Sequence, residues 1–187
     1  MANHMETYIE IKNGNKDVAD KLRDIFQPKE GEWESHTEDI YKGLYGEDAI
    51  SEYDRGWVID NIGAKWIIAD FTYDEDPEYI ELRTTSAWSV PIGMLERLAK
   101  ILTDIKEDCY ILGTYEDESY EPCGAFVYAK DYDDIEDWDG EIDFDKVWED
   151  DMYRDDLYTY FNELKDELEK QYFEYLQDRK DNPEDYE

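Results

Sequence analysis

The chain has 187 residues and a formal net charge of −34, from 53 acidic and 19 basic side chains. That balance excludes direct binding to DNA, RNA or an anionic membrane, which are held by Lys and Arg, and no apolar run approaches the roughly eighteen residues of a membrane span. The chain is nevertheless 41% hydrophobic and 16% aromatic, which excludes a disordered acidic tail, since such tails are poor in aromatics.

In chain order, "MANHM" reads as a cloning remnant (residues 1–4) ahead of a start at Met5, with no charged-then-apolar signal in it. "TYIEIKN" (7–13) alternates with strand period. Val18, Leu22, Ile25 and Phe26 then share a helical stripe, with Asn15 as N-cap and Asp17 in the first turn, and Gln27-Pro28 ends that helix. Residues 28–55 read as a polar connection in which "TEDIYKGLYG" holds a short helix stopped by Gly43 or Gly46. "WVIDNIG" (57–63) and "AKWIIADFTY" (64–73) read as two strands or one interrupted strand, and "EYIELRTTSAW" (78–88) as another. Ser89 and Pro91 open a helix with Ile92, Leu95, Leu98, Ala99 and Leu102 at spacings of three and four. "CYILGTY" (109–115) and "CGAFVYAKD" (123–131) are strands around the polar "EDESYEP" loop.

The order β-α-β-β-α-β-β predicts an α+β domain over 1–131, a ferredoxin-like antiparallel sheet with two helices on one face. Residues 132–187 are expected to be an acidic helical extension packed on it. It holds a short helix around 145–153 and a long one with the stripe Leu157, Phe161, Leu164, Leu168, Tyr172, Tyr175 and Leu176.

"IGAKW" (62–66), "RTTSAWSVPIGMLERLAKIL" (83–102) and "YEPCGAFVYAKD" (120–131) resemble the YubB-type ferredoxin-like family carried by phages and plasmids. Gly63, Lys65, Trp66, Ala87, Trp88, Ser89, Pro91, Cys123 and Gly124 carry the likeness, whereas Ile62 stands where the family has an aromatic. The resemblance covers about residues 57–131. It implies the fold and a mobile-element origin, and no reaction.

Catalytic chemistry is hard to place. His4 and His36 are the two histidines, and His36 has no nearby Cys or His in sequence. No nucleophile elbow, P-loop or dinucleotide fingerprint is present. Cys109 and Cys123 lack zinc spacing and read as reduced, packed thiols. Setting Gly140 at position 6 of a calcium loop puts Ile135 at position 1 and Lys146 at position 12, so the loop fails at both ends. A two-metal site built from Asp70, Glu81 and Asp131 would still need basic residues to hold a nucleic acid. The expectation is a protein that is not an enzyme, with no metal and no cofactor. Trp66 and Trp88 are expected in the core.

The charge is uneven. Residues 131–187 hold 24 acidic and 6 basic side chains, and "DYDDIEDWDGEIDFDKVWEDDMYRDD" (131–156) alone holds fourteen carboxylates against Lys146 and Arg154. Ile135, Trp138, Ile142, Phe144, Val147, Trp148 and Met152 are threaded through it as backbone anchors. A domain of this length is about 40 Å across, and duplex DNA of that length carries roughly two dozen charges. The acidity is thus of nucleic-acid order. The partner-contact candidates are Asp133, Asp134, Glu136, Asp137, Asp139, Glu141, Asp143, Asp145, Glu149, Asp150, Asp151, Asp155, Asp156, Glu163, Glu167 and Glu174. The expected function is a phage or mobile-element inhibitor in the host cytoplasm that mimics nucleic acid and binds a basic nucleic-acid-binding host complex. An acidic adaptor that leaves the nucleic-acid site open is the alternative, salt adaptation is a third reading, and exposed aromatics leave a homodimer open.

Overall fold

Alternation along His4–Lys12 (β1) turns Met5, Thr7, Ile9 and Ile11 to one face and Glu6, Tyr8, Glu10 and Lys12 to the other. That division runs through the whole sheet of the computed structural model, which describes residues 3–49, 54–72 and 80–186. The elements that follow are α1 (Lys16–Phe26), β2 (Ser35–His36), α2 (Thr37–Tyr45), α3 (Arg55–Ile62), β3 (Ile67–Thr72), β4 (Ile80–Ala87) and α4 (Ile92–Ile105). Then come β5 (Tyr110–Asp117), β6 (Cys123–Ala129), β7 (Tyr132–Asp137), α5 (Phe144–Glu149), α6 (Asp151–Asp181) and a 3-10 turn, Pro183–Asp185. The fold is α+β. Its seven-stranded sheet has the order β2-β3-β4-β1-β5-β6-β7, every neighbouring pair antiparallel.

Helices α1 to α4 cover the face carrying Met5, Ile9, Ile11, Ile67, Ile80, Leu82, Ile111 and Phe126, and together they form the main core. Four helices lie there rather than two. The first is as the sequence indicates: the Asn15 carboxamide accepts from the Val18 amide at 2.9 Å, and Val18, Leu22, Ile25 and Phe26 are buried. The extra helix α3 replaces the strand expected over 57–63. The Asp54 carboxylate caps it, accepting from the Gly56 and Trp57 amides at 2.8 and 3.2 Å. Gly63 at φ +91° closes it in the left-handed region. A β-carbon at Gly63 would also fall 2.8 Å from the Ile92 amide nitrogen, so only glycine lets α3 meet the start of α4.

Residues 132–137, placed by the sequence in the helical extension, instead form the edge strand β7 on β6 and extend the sheet. The long helix begins at Asp151 rather than near 157, because the Asp150 carboxylate caps it by accepting from the Met152 and Tyr153 amides. α6 lies on the sheet face opposite α1 to α4, over β5, β6 and β7. Leu168 and Tyr172 join Tyr110, Leu112, Ala125 and Val127, with Leu164, Tyr175 and Leu176 at the margin. Leu157 and Phe161 join Tyr120, Cys123 and Val147, with Trp138, Ile142 and Tyr153 against them. The expected stripe is therefore the seam. Polar contacts fix its middle and its C-terminal end: Lys165 reaches Glu10 on β1, Tyr110 donates to Glu169 at 2.6 Å, and Arg179 pairs with Asp131 at 2.8 Å.

β1 starts at His4, whose ring lies edge-on to Trp66 and whose Nδ1 stands 3.3 Å from Glu118, so His4 is part of the sheet. Met152 does not anchor the acidic segment; it is 72% exposed on the outer side of α6. Tyr73, Glu78 and Tyr79 of the expected strands, and the Phe144 and Trp148 side chains, lie outside the described residues. No helix among the described residues is long and apolar enough to cross a membrane.

Candidate partner-binding surface

Strand alternation sorts the carboxylates of β7. Tyr132 packs on Tyr172 and Tyr175 of α6, whereas Ile135 packs on the helix-covered face. Asp134 and Glu136 therefore lie on the α6 side with Tyr132, half-buried, and Asp133 and Asp137 lie with Ile135, exposed. The Tyr115 hydroxyl donates to Asp137 Oδ1 from beneath.

The segment from 138 to 150 is seated on α6 through Trp138, Ile142 and Val147. The Trp138 ring stacks on Tyr160 of α6, with centroids 5.2 Å apart. The same indole explains Gly140, the residue that suggested a calcium loop: a β-carbon there would lie 2.3 to 2.4 Å from the Trp138 ring atoms. Asp139, Glu141, Asp145 and Glu149 are exposed and have no cationic partner among the described residues. Three candidates also serve the fold. Asp143 caps α5 and pairs with Lys146, whose hydrogen bond holds the Asp143 carboxyl below its usual range. Asp150 caps α6, and Asp151 pairs with Arg154.

On α6 the seam fixes the orientation of the rest. Asp156, Glu163, Glu167 and Glu174 recur at intervals of seven, four and seven, which places them within about 40° of one another on a line of roughly 27 Å. All are exposed, and among the described residues only Glu167 has a cation within ion-pair distance, Lys170 at 3.0 Å. The line runs on the side where Tyr160 meets Trp138, hence toward β7 and the 138–150 segment, and away from Lys165. Asp155 is exposed on the outer side. The structure thus gathers most of the candidates in three strips, the α6 side of β7, the 138–150 loop and the α6 line, whereas Asp133 and Asp137 lie on the opposite face of the sheet and Asp155 stands apart from the line.

Charge density sets the scale. Between residues 155 and 178, α6 carries Asp155, Asp156, Glu163, Asp166, Glu167, Glu169, Glu174 and Asp178 against Lys165 and Lys170. That is a net −6 over about 35 Å, where one nucleic-acid strand carries roughly ten charges and a duplex roughly twenty. The helix alone falls short of a single strand. Over residues 131–178 together, twenty carboxylates oppose Lys146, Arg154, Lys165 and Lys170, a net −16, which lies between the roughly ten charges of one strand and the roughly twenty of a duplex over that length.

No three His, Cys, Asp or Glu side chains among the described residues converge on a metal position. Asp70 and Glu81 sit on β3 and β4, while Asp131 lies in the turn between β6 and β7, at least three strands from β4, and pairs with Arg179. Cys109 and Cys123 are free and buried, and burial pushes both thiols up to about 12. Two features escaped the sequence reading. Trp88, expected in the core, is 55% exposed because it adopts φ +66°, which swings its side chain off the sheet alternation. Glu116, placed in a polar loop, is 9% exposed on β5 beneath α6, where burial pushes its carboxyl up to about 7. Protein-family models, curated proteins and solved structures give no match to this chain.

Proposed function

We propose that this chain is a nucleic-acid mimic: a non-enzymatic inhibitor of phage or mobile-element origin that occupies the basic groove of a host defence complex, of the CRISPR-effector, restriction or related nuclease kind. The observation that carries this reading is the acidic line on α6, beside the half-buried carboxylates of β7 and the exposed Asp139, Glu141, Asp145 and Glu149 of the 138–150 loop. A preordered array of carboxylates meets Arg and Lys already arranged for phosphates without the ordering entropy that a disordered tail would lose. The run β3-β4-β1-β5, with α1 and α4 as crossover helices, reads as a ferredoxin-like core extended by β2 on one edge and by β6 and β7 on the other. With the likeness of residues 57–131 to the YubB-type family, it favours the mobile-element origin.

The test is competition. A complex captured from host lysate on the immobilised protein is purified, and its affinity for labelled nucleic acid is measured by anisotropy at rising concentrations of this chain. Displacement that weakens steeply between about 50 and 200 mM salt is expected, since each mimicked phosphate contact is electrostatic. Reversing Asp156, Glu163, Glu167 and Glu174 to lysine is expected to weaken displacement about a hundredfold, at several tenths to 1 kcal/mol for each exposed charge. Capture without displacement at saturation in low salt would leave the adaptor reading instead.

A further inference from the structure

Two bulky residues adopt a left-handed backbone among the described residues, Trp88 at φ +66° and Tyr120 at φ +59°. Tyr120 is buried, whereas Trp88 is 55% exposed, so burial does not offset its strain. The conformation is nevertheless held firmly. The Trp88 amide donates to the Asn3 carbonyl at 3.0 Å, the Ser86 hydroxyl to the Ser89 carbonyl at 2.7 Å, and the Ser89 hydroxyl to the Gly63 carbonyl at 2.7 Å. Beside the ring opens a cleft of about 390 Å³ walled by Trp88, Ile92, Ile135, Tyr115 and Pro122. Ile92, at the first turn of α4, is 39% exposed there, although the sequence placed it in the core stripe. The single charged side chain lining the cleft is Asp137, at the end of β7, where the acidic segment begins.

An indole wall, aliphatic sides and one carboxylate form a defined receptor. A neutral apolar guest would leave Asp137 unmatched, and an anion would meet it as a like charge. A long cationic side chain satisfies every wall: its stem lies on Ile92 and Ile135, and its head stacks on Trp88 and meets the carboxylate. Arginine fits better than lysine, because its planar head stacks on an indole and donates two hydrogen bonds to one carboxylate. Lys65, 5.0 Å from the Trp88 ring centroid and outside the cleft lining, shows that this ring already attracts a cation.

We infer that the Trp88–Asp137 cleft is an anchoring pocket for an arginine side chain of a basic protein partner, at the head of the acidic surface. The basic character of the partner is taken from the proposed function; the pocket itself is not. It supplies a specific contact where the carboxylate array supplies a diffuse one, so it fixes register where the array alone would slide.

The full chain is titrated with N-acetyl-L-argininamide, a single positive charge without a carboxylate, and followed by NMR at the Trp88 indole and the Ile92 and Ile135 methyls. Saturable shifts confined to these groups are expected at millimolar probe, with the lysine analogue at least about threefold weaker. Asp137→Asn, which keeps an acceptor for Tyr115, is expected to weaken binding at least fivefold (about 1 kcal/mol), and Asp133→Asn on the same face to leave it unchanged. Trp88→Gly, which relieves the strained backbone, is expected to fold and to lose the Ile92 and Ile135 shifts. Shifts that never saturate, that spread equally along α6, or that persist in Asp137→Asn overturn the pocket. Arginine binding without nucleic-acid displacement would sink the mimic and keep the pocket; displacement without it would do the reverse.

Discussion

Truncating Phe161 to alanine is expected to lower the unfolding free energy by about 3–5 kcal/mol, the range for a large aromatic removed from a closed core. Phe161 is 2% exposed between Tyr120, Cys123, Val147 and Leu157, with the Tyr158 ring edge-on to it at 6.1 Å. The effect reaches beyond stability, because α6 does not persist alone: it carries many like charges, and its order comes from the seam against β5 and β6. The acidic line keeps its spacing only while that seam is closed. Urea unfolding should give the global loss, and amide exchange should show α6 opening more readily than β1 and β4. A loss below about 1 kcal/mol would mean that this end of α6 is not seated as described.

How much of this could be read in the sequence depends on where each signal lives. The α6 seam was legible because one stripe repeats over five turns, and α1 because Asn15 and its apolar spacing agree. Residues 57–63 misled because "WVIDNIG" is rich in strand formers; the deciding information lay just outside, in the Asp54 cap and the left-handed Gly63. β7 was hidden by its own charge. Its carboxylates fall on both faces, so no alternation is visible, and only Tyr132 and Ile135 turn toward a partner layer. Such charges also deter another chain from adding to this edge strand. Most of the acidic surface was legible residue by residue, since exposure follows from charge, but the line on α6 needed the seam to fix its direction. Trp88 and Glu116 were not legible, because one depends on a single backbone angle and the other on Tyr158, 42 positions away.

Glu116→Gln is expected to stabilise the protein above pH 7 and to change little below pH 4.5. Glu116 lies under α6, directly across from Glu6 on β1, and accepts from the Tyr158 hydroxyl at 3.3 Å. Burial raises its carboxyl from 4.5 to about 7; the Tyr158 hydrogen bond opposes the rise and the Glu6 charge adds to it. The folded protein thus holds a proton there that the unfolded chain has released. The stability linked to that proton is fully present below about pH 4.5 and is lost as pH rises through about 7. The gap between 4.5 and about 7 corresponds to roughly 3 kcal/mol, and glutamine, neutral at every pH, avoids this cost while still accepting from Tyr158. Urea unfolding of both proteins at pH 4.5 and pH 8 should show curves that converge in acid and separate by about 2–3 kcal/mol in base. Tyr158→Phe removes a hydrogen bond that favours the charged form, so it should shift the separation to higher pH. Parallel pH profiles for wild type and Glu116→Gln would refute the assignment. The consequence falls on the partner surface: Tyr158 belongs to the same stretch of α6 as Asp156 and Glu163, so the seat beneath the acidic line is firmest when Glu116 is protonated.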